Sequence, residues 1–456
     1  MFGSWNTVSC QISSQVPCAQ YNISRAIDEA IVVLSKSERK RLSALMSPKK
    51  IVIAEDETFH PATCLVAMEL ISNYILVERY VEKRDGKTWN SAVNEGLEGL
   101  PVEVVKVTGD QGKAIINHAE KELRVHHSPD LFHVQQEIGR GTSGALSSKV
   151  KQAEKELDSA SRKTQKEVAK QEKHARLETK PVGRPPDFEN RVEDARTEEN
   201  KAADNLKRAR ENQETVREGK LEISQVYHPY DIETGQKQNP ETVEARLEGC
   251  FAKIDGATET LSERCGKHVD KARKVVGKMK ATVAFFFSMV SMIVEDMGIS
   301  ADAKSIMYDY LIPGFYLLEV ARKEKNRELK EKINRKAQEL LSVLKNQTGG
   351  LTCYCEVDLK SIERASIECA QLFQRSTSPV EGRNAQLSLR HHSLHRLNDL
   401  KLSVLTAIHN FYIKRPDGTT AAERLFEAKP KDMFEYLLNN IDLPARPRRK
   451  HLKLAA

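Results

Sequence analysis

No two of the eight cysteines are spaced as CxxC, and no Cys/His block has the spacing of a zinc site. A disulfide framework and a structural zinc are therefore not expected, and reduced thiols in a cytosol are the simpler reading. The only close pair is "CYC", Cys353 to Cys355. The N-terminus, "MFGSWNTVSCQISSQVPC", lacks a basic start followed by an apolar core, so it does not read as a secretory signal. Long hydrophobic runs are also missing. The most apolar segment, "ATVAFFFSMVSMIV" at 281–294, has fourteen residues and is too short to cross a bilayer. It reads as a core helix, and a cytoplasmic protein with no membrane partner is expected. A strong charge of one sign is absent too: 72 Lys and Arg stand against 65 acids, for a net +7. That excess permits a nucleic-acid partner without demanding one.

What the chain has is length and a change of pattern. Its 456 residues suffice for two to four domains. From Ile23 to Met46 the spacing is helical and suggests two short helices. "KKIVIAEDETF" then reads as a central strand, apolar on both faces. "CLVAMELI" and "YILVERYV" follow, with "SN" between them as a tight turn. Thr88 is placed to cap a helix carrying Trp89, Val93, Leu97 and Leu100 on one face. "VEVVKVTGD" is a second central strand, a helix from Gly112 buries Ile115, Ala119 and Leu123, and "HHSPDLFHV" suits a short edge or parallel strand. Three meandering strands followed by alternating units predict a mixed α/β sheet with helices packed on it.

After Gly144 the pattern becomes helical. Leu146, Val150, Ala153, Leu157, Ala160 and Thr164 repeat at steps of four and three, the seam of a coiled coil. "KPVGRPPDF" interrupts it, and Val192, Ala195, Ala202, Leu206, Ala209 and Val216 resume the heptad. Two such arms predict an antiparallel hairpin over about 145–220. "HPYDIETGQKQNP" reads as a linker, and residues 241–345 as further helices. One more helix is expected from about Leu359 to Phe373.

Two motifs have bland readings. "GRGTSG" at 139–144 has the glycines of a dinucleotide fingerprint, but a coiled coil follows where a βαβ unit is required, so a flexible exit from the sheet domain is the better reading. "VGRPP" shares the Gly-Arg-Pro core of minor-groove peptides through Arg184, yet Val182 stands where the fuller pattern is basic, and a helix-breaking loop is favoured.

The acids are more specific. Asp56 and Asp110 each end a predicted central strand, and adjacent parallel strands would bring such ends together. Two carboxylates there repel unless a divalent cation neutralises them, and oxygen ligands without Cys or His suit Mg²⁺ or Mn²⁺. Glu55 and Glu57 point to the other face. Glu381 is the candidate third ligand, in the first turn of a helix that Pro379 can open. On that helix Glu381, Asn384 or Ala385, Ser388 and His392 share a face. The structural alternative, acids that merely cap turns, remains open from spacing alone.

The strings "EDETF", "VTGDQGKAI", "SPDLFHV" and "RSTSPVEGRNAQLSLRHH", with "LNDLKLSVLTAIHNFYIKRPDGTTAAERLF" after them, resemble the catalytic core of DDE-type transposases of bacterial insertion sequences. The resemblance covers roughly residues 45–440. It implies an RNase H-like mixed sheet with flanking helices, interrupted by a large all-α insertion before the catalytic glutamate. The expected divisions are an N-terminal helical segment at 1–48 and a first core part at 49–140. A helical insertion follows at 141–375, containing the hairpin and a bundle at 241–373. Core helices at 376–440 and a basic tail at 441–456 complete the chain. By the resemblance Asp56, Asp110 and Glu381 form a triad holding two Mg²⁺ (or Mn²⁺) ions for DNA cleavage and strand transfer. Partners would be double-stranded DNA and further copies of the chain, as a homodimer or higher assembly on DNA. Lys113, Arg383, Asn384, His392, Arg184 and the tail residues Arg446, Arg448, Arg449 and Lys450 are candidates for contact with DNA. Such enzymes usually carry an N-terminal helix-turn-helix segment, which the first 45 residues do not pattern. Either the insertion and tail recognise DNA, or this copy is shortened and defective. An RNase H-like nuclease without strand transfer and an inactive DNA-binding scaffold are the alternatives.

Overall fold

The computed structural model describes residues 17–59, 62–178, 186–346, 351–393 and 397–441. Arg184 and the tail from Arg446 to Lys450 lie outside the described residues, as does the side chain of His392. The chain forms two compact units, one of Met1–Ser128 with Gln374–Ala456, the other of Pro129–Phe373.

The first unit is mixed α/β. Helix α1, Pro17–Ser43, is continuous where two short helices are expected. Its polar stretch "SKSERKR" does not break it, because the buried face of Ile31, Leu34 and Leu42 continues through Glu38, which is buried and paired with Arg41 at 2.6 Å. Five strands follow: β1 Lys49–Thr58, β2 Cys64–Glu69, β3 Ile75–Tyr80, β4 Val102–Gly109 and β5 His126–Pro129. Their order is β3-β2-β1-β4-β5, with β1 antiparallel to β2 and parallel to β4. Strand β1 is therefore central, and Ile51 to Ala54 are buried on both faces.

The β2–β3 turn is longer than "SN" alone. Buried Glu69 accepts the backbone N–H groups of Ile71 and Ser72 at 2.9 and 2.7 Å, and Asn73 takes a left-handed φ of 60°. Helix α2, Gly86–Leu97, is capped by Asp85, not Thr88. The Asp85 carboxylate accepts from Thr88 N at 2.8 Å, which puts Trp89, Ala92, Val93 and Gly96 on the buried face. Helix α3, Lys113–Asn117, runs into a π turn, His118–Glu122, that buries His118 and Ala119.

The second unit is helical among its described residues. Helices α4, Leu131–Ala175, and α5, Phe188–Val226, form the expected hairpin. Contacts pair Lys163 with Glu198, Glu154 with Arg210 and Ser147 with Gln213, so residue numbers rise on one arm as they fall on the other, which makes the arms antiparallel. Leu146, Ala153 and Thr164 face Val192, Ala195, Ala202, Leu206 and Val216 in the buried seam. The glycines of "GRGTSG" lie inside α4. The expected flexible exit is therefore continuous helix, and the boundary between units falls at 128/129 rather than 140/141.

The expected linker "HPYDIETGQKQNP" is a packed corner instead. Tyr230 pairs with Lys237 as an isolated bridge and is buried with Tyr227 and His228. Tyr230 meets Phe286, Phe287 and Tyr316 at ring-centroid distances of 5.6 to 5.9 Å, so its aromatic residues outweigh its Pro, Gly and Asn. Helices α6 (Pro240–Thr258), α7 (Glu263–Arg273), α8 (Val276–Asp296), α9 (Ala301–Ile306), α10 (Ile312–Lys323), α11 (Arg327–Lys345) and α12 (Glu356–Gln371) complete the unit. The apolar run is longer than fourteen residues. Among the described residues Glu263–Asp296 is the one helical stretch long and apolar enough to cross a membrane. Within it Val283, Phe286, Val290 and Val294 form a buried stripe, and Phe286 packs on Tyr230 and Phe373, but only 33% of its apolar stretch is buried, less than in the expected core helix.

The chain returns at Gln374, whose carbonyl accepts the buried Lys106 Nζ of β4 at 2.6 Å. Helices α13 (Ser378–Ser393), α14 (Asp399–Phe411), α15 (Ala421–Phe426) and α16 (Met433–Asn440) follow. Asn410 of α14 accepts from Ile75 N and donates to Ile75 O, both at 2.9 Å, so a side-chain amide satisfies part of the edge of β3.

Between Lys149, which bonds Thr260, and Gln213, the polar contacts of the hairpin with other elements join one arm to the other among the described residues. Replacing 155–205 by a short turn is expected to leave both units folded, with the main thermal transition moved by a few degrees at most. Loss of the cooperative transition would show that the distal arm belongs to the core.

Candidate metal centre

The sheet register brings the two aspartates together. Ala54 pairs with Thr108 and Glu55 with Gly109 across the parallel β1–β4 ladder. Asp56 and Asp110 are the next residues on each strand, about 4.8 Å apart in strand spacing. Both line a cavity of about 360 Å³, with Arg84, Lys113 and the exposed ring of Phe59 on its walls.

Each acid is held in place. Asp110 Oδ1 accepts the Gly112 N–H at 2.7 Å. A Cβ at Gly112 would lie 2.6 Å from that same oxygen, so the tight turn after β4 requires glycine to keep the carboxylate in place. Asp56 Oδ2 accepts Asn384 Nδ2 at 2.6 Å across 328 residues of sequence. The other amide atom, Asn384 Oδ1, is buried without a hydrogen-bond partner.

Glu381, one turn before Asn384 on α13, brings a carboxylate oxygen within 4.8 Å of one on Asp56. Pro379 sits in the first turn of that helix, where its missing N–H is no loss. The returning helix thus meets the sheet at the acids. The placement of Asp110 is by register and shared cavity, while Asp56 and Glu381 are directly juxtaposed. Two carboxylates this close can share a cation. Asp56 and Glu381 offer carboxylate oxygens, with the orphaned amide oxygen of Asn384 nearby, and such donors fit a hard divalent ion such as Mg²⁺ or Mn²⁺.

Alternation sends Glu55 to the other face as expected, but Glu57 lines the same cavity as Asp56. Glu55 is fully buried against His118 Nδ1 at 2.8 Å, and burial raises its pKa, partly offset by the His118 bond and charge. His118 in turn stacks on Trp89. Glu57 accepts from Arg84 at 3.0 Å and from Trp89 Nε1 at 3.2 Å. These contacts anchor the end of β1.

Arg383 is not the phosphate contact that the sequence suggests. It is 5% exposed and makes a two-pronged ion pair with Glu78 of β3, both bonds 2.6 Å. Thr406 of α14 donates to the same carboxylate at 2.6 Å. Nothing near Arg383 in the sequence signals this partner, since Glu78 lies 305 residues away. Lys113 is exposed on α3 and lines the cavity, a position open to an anionic ligand.

Residues 307–453 are similar to a sequence family described as "Family of unknown function (DUF6399)". The matched stretch includes Glu381, Arg383 and Asn384 but neither aspartate. No curated protein and no solved structure matches the chain.

Arg383→Met would leave Glu78 buried without its cation. The expected loss is about 3–5 kcal/mol of stability of the first unit, measured by urea unfolding. A change below about 1 kcal/mol would show that the pair does not seat α13.

Proposed function

We propose that this chain is a metal-dependent DNA strand-cleaving and strand-joining enzyme of the DDE transposase kind, built on an RNase H-like core. The observation that carries the reading is the meeting of Glu381 with Asp56, a helical acid brought back to a strand-end acid after the whole helical unit intervenes. Asp110, beside Asp56 in register, supplies the third carboxylate. Asp56, Asp110 and Glu381 are the residues that would hold Mg²⁺, which when bound would lower the pKa of water and offset charge on a departing 3′ oxygen.

The chain's own groups position the reaction. Asn384 and Gly112 orient two of the carboxylates before DNA arrives, which removes reorganisation from the reaction itself. Lys113 flanks the cavity and would hold the phosphate by charge. Water attacks phosphorus and the P–O3′ bond breaks, giving a 3′-OH and a 5′-phosphate. That 3′-OH then attacks a target phosphodiester, forming the new joint as a target 3′-OH leaves. No Ser, Tyr or Cys nucleophile takes part. The substrate is double-stranded DNA, and copies of the chain would pair on it in the cytoplasm.

The test uses the full chain with Mg²⁺ and DNA carrying the sequences that flank its coding region. Asp56→Asn, Asp110→Asn and Glu381→Gln should each lower cleavage and joining by at least about a hundredfold. Asn384→Ala should lower them by about ten- to a hundredfold, as expected for a group that orients a metal ligand. DNA binding in EDTA should survive all four. Acid variants that cleave as well as wild type would overturn the assignment, and cleavage without joining would reduce it to a nuclease.

A further inference from the structure

The "GRGTSG" segment lies at a crossing of α4 and α7. A Cβ on Gly141 would meet His268 Cβ at 2.7 Å and Cys265 O at 2.9 Å, so glycine is what lets the helices touch. Beside that contact is a cavity of about 390 Å³ bordered by Arg140 and Ala145 on α4 and by Arg264, Cys265 and His268 on α7.

Its charges do not balance. One carboxylate, Glu137, accepts from His268 Nδ1 at 2.9 Å, Lys271 Nζ at 2.9 Å and Arg140 at 3.2 Å. Burial raises its pKa, but the bonds from His268 and Lys271 and the charges of Lys271 and Arg140 outweigh that and bring it down to about 2. Glu263, at the start of α7, is already paired with Lys267 at 2.8 Å. Arg264 makes no ion pair or hydrogen bond among the described residues and is exposed at the rim. The rim therefore presents two guanidinium groups on different helices, with cations exceeding anions.

We propose that this cavity binds a phosphate oxyanion of a nucleic-acid backbone, with Arg264 and Arg140 as the contacting groups. Guanidinium forks match phosphate oxygens, and two of them on separate helices suit an anion lying across the crossing. An open surface cavity with no base-reading group suits backbone contact without sequence preference. The choice of nucleic acid as ligand rests on the proposed function, whereas the site lies in the helical unit and uses none of the carboxylates, so the arginine variants test it separately.

The experiment measures binding of the full chain to a 30-base-pair duplex in EDTA from 50 to 300 mM salt. It is run in parallel with calorimetric titration of inorganic pyrophosphate. Arg264→Gln should weaken duplex binding about three- to tenfold at 0.1 M salt and reduce the slope of log affinity against log salt by about 0.9, and Arg140→Gln with Arg264→Gln by about twice that. Arg162→Gln, on the same helix but paired with Asp158 and exposed, should leave the slope unchanged. Arg264 has no partner to lose, so its variants test binding without a folding defect. An Arg264→Glu slope equal to wild type overturns the proposal. So does an absence of duplex binding by wild type. Pyrophosphate binding lost in Arg264→Gln while the duplex slope is unchanged assigns the cavity to a small anion and overturns the nucleic-acid assignment.

Discussion

The buried pair of Arg383 with Glu78 is the contact on which the candidate site depends. It joins residues 305 apart in sequence, and Thr406 adds a third group to the same carboxylate. Burying a guanidinium and a carboxylate is favourable only when the geometry is good and their other hydrogen bonds are met. Both forks here are short, and Glu78 is fully buried. The helix that bears Arg383 also bears Glu381 two residues earlier and Asn384 one residue later. Locking one side chain against β3 therefore fixes the rotation of the helix and points its neighbours at Asp56. A conformation with Arg383 released would lose the Asn384 bond as well.

Much of this arrangement was legible in the sequence, for a definite reason. Strands buried on both faces leave a continuous apolar signal, so "KKIVIAEDETF" and "VEVVKVTGD" read as central and their terminal acids as neighbours. The heptads of the hairpin were equally clear, because small apolar seams repeat on an otherwise charged helix. Features fixed by a single distant partner were not legible. Arg383 looked like a phosphate ligand because nothing local discloses Glu78. "HPYDIETGQKQNP" looked like a linker because its turn residues are local signals, whereas the ring contacts of Tyr230 come from helices far along the chain. Asp85 displaced Thr88 as a cap by supplying an equally good oxygen one turn earlier.

Glycine was misread in one place and anticipated in none. The glycines of "GRGTSG" suggested flexibility, yet Gly141 is a point of closest helix packing. Gly112 acts similarly on a smaller scale, where the missing side chain leaves room for the Asp110 carboxylate. In both cases the residue matters for the space it leaves rather than for the conformations it permits.

The division of the chain also has a consequence for synthesis. The first unit is left unfinished at Ser128 and resumes at Gln374, while the second is continuous from Pro129 to Phe373. At roughly 5–20 residues per second, a ribosome takes on the order of tens of seconds to make that intervening segment. Throughout that interval the nascent sheet has Glu78 without its arginine and β3 without the amide of Asn410. The helical unit can complete its own core first, since all of its segments emerge together. The sheet unit closes last, when the C-terminal helices leave the ribosome, and until then its unpaired strand edge and lone buried acid are the part of the newborn chain most in need of a chaperone.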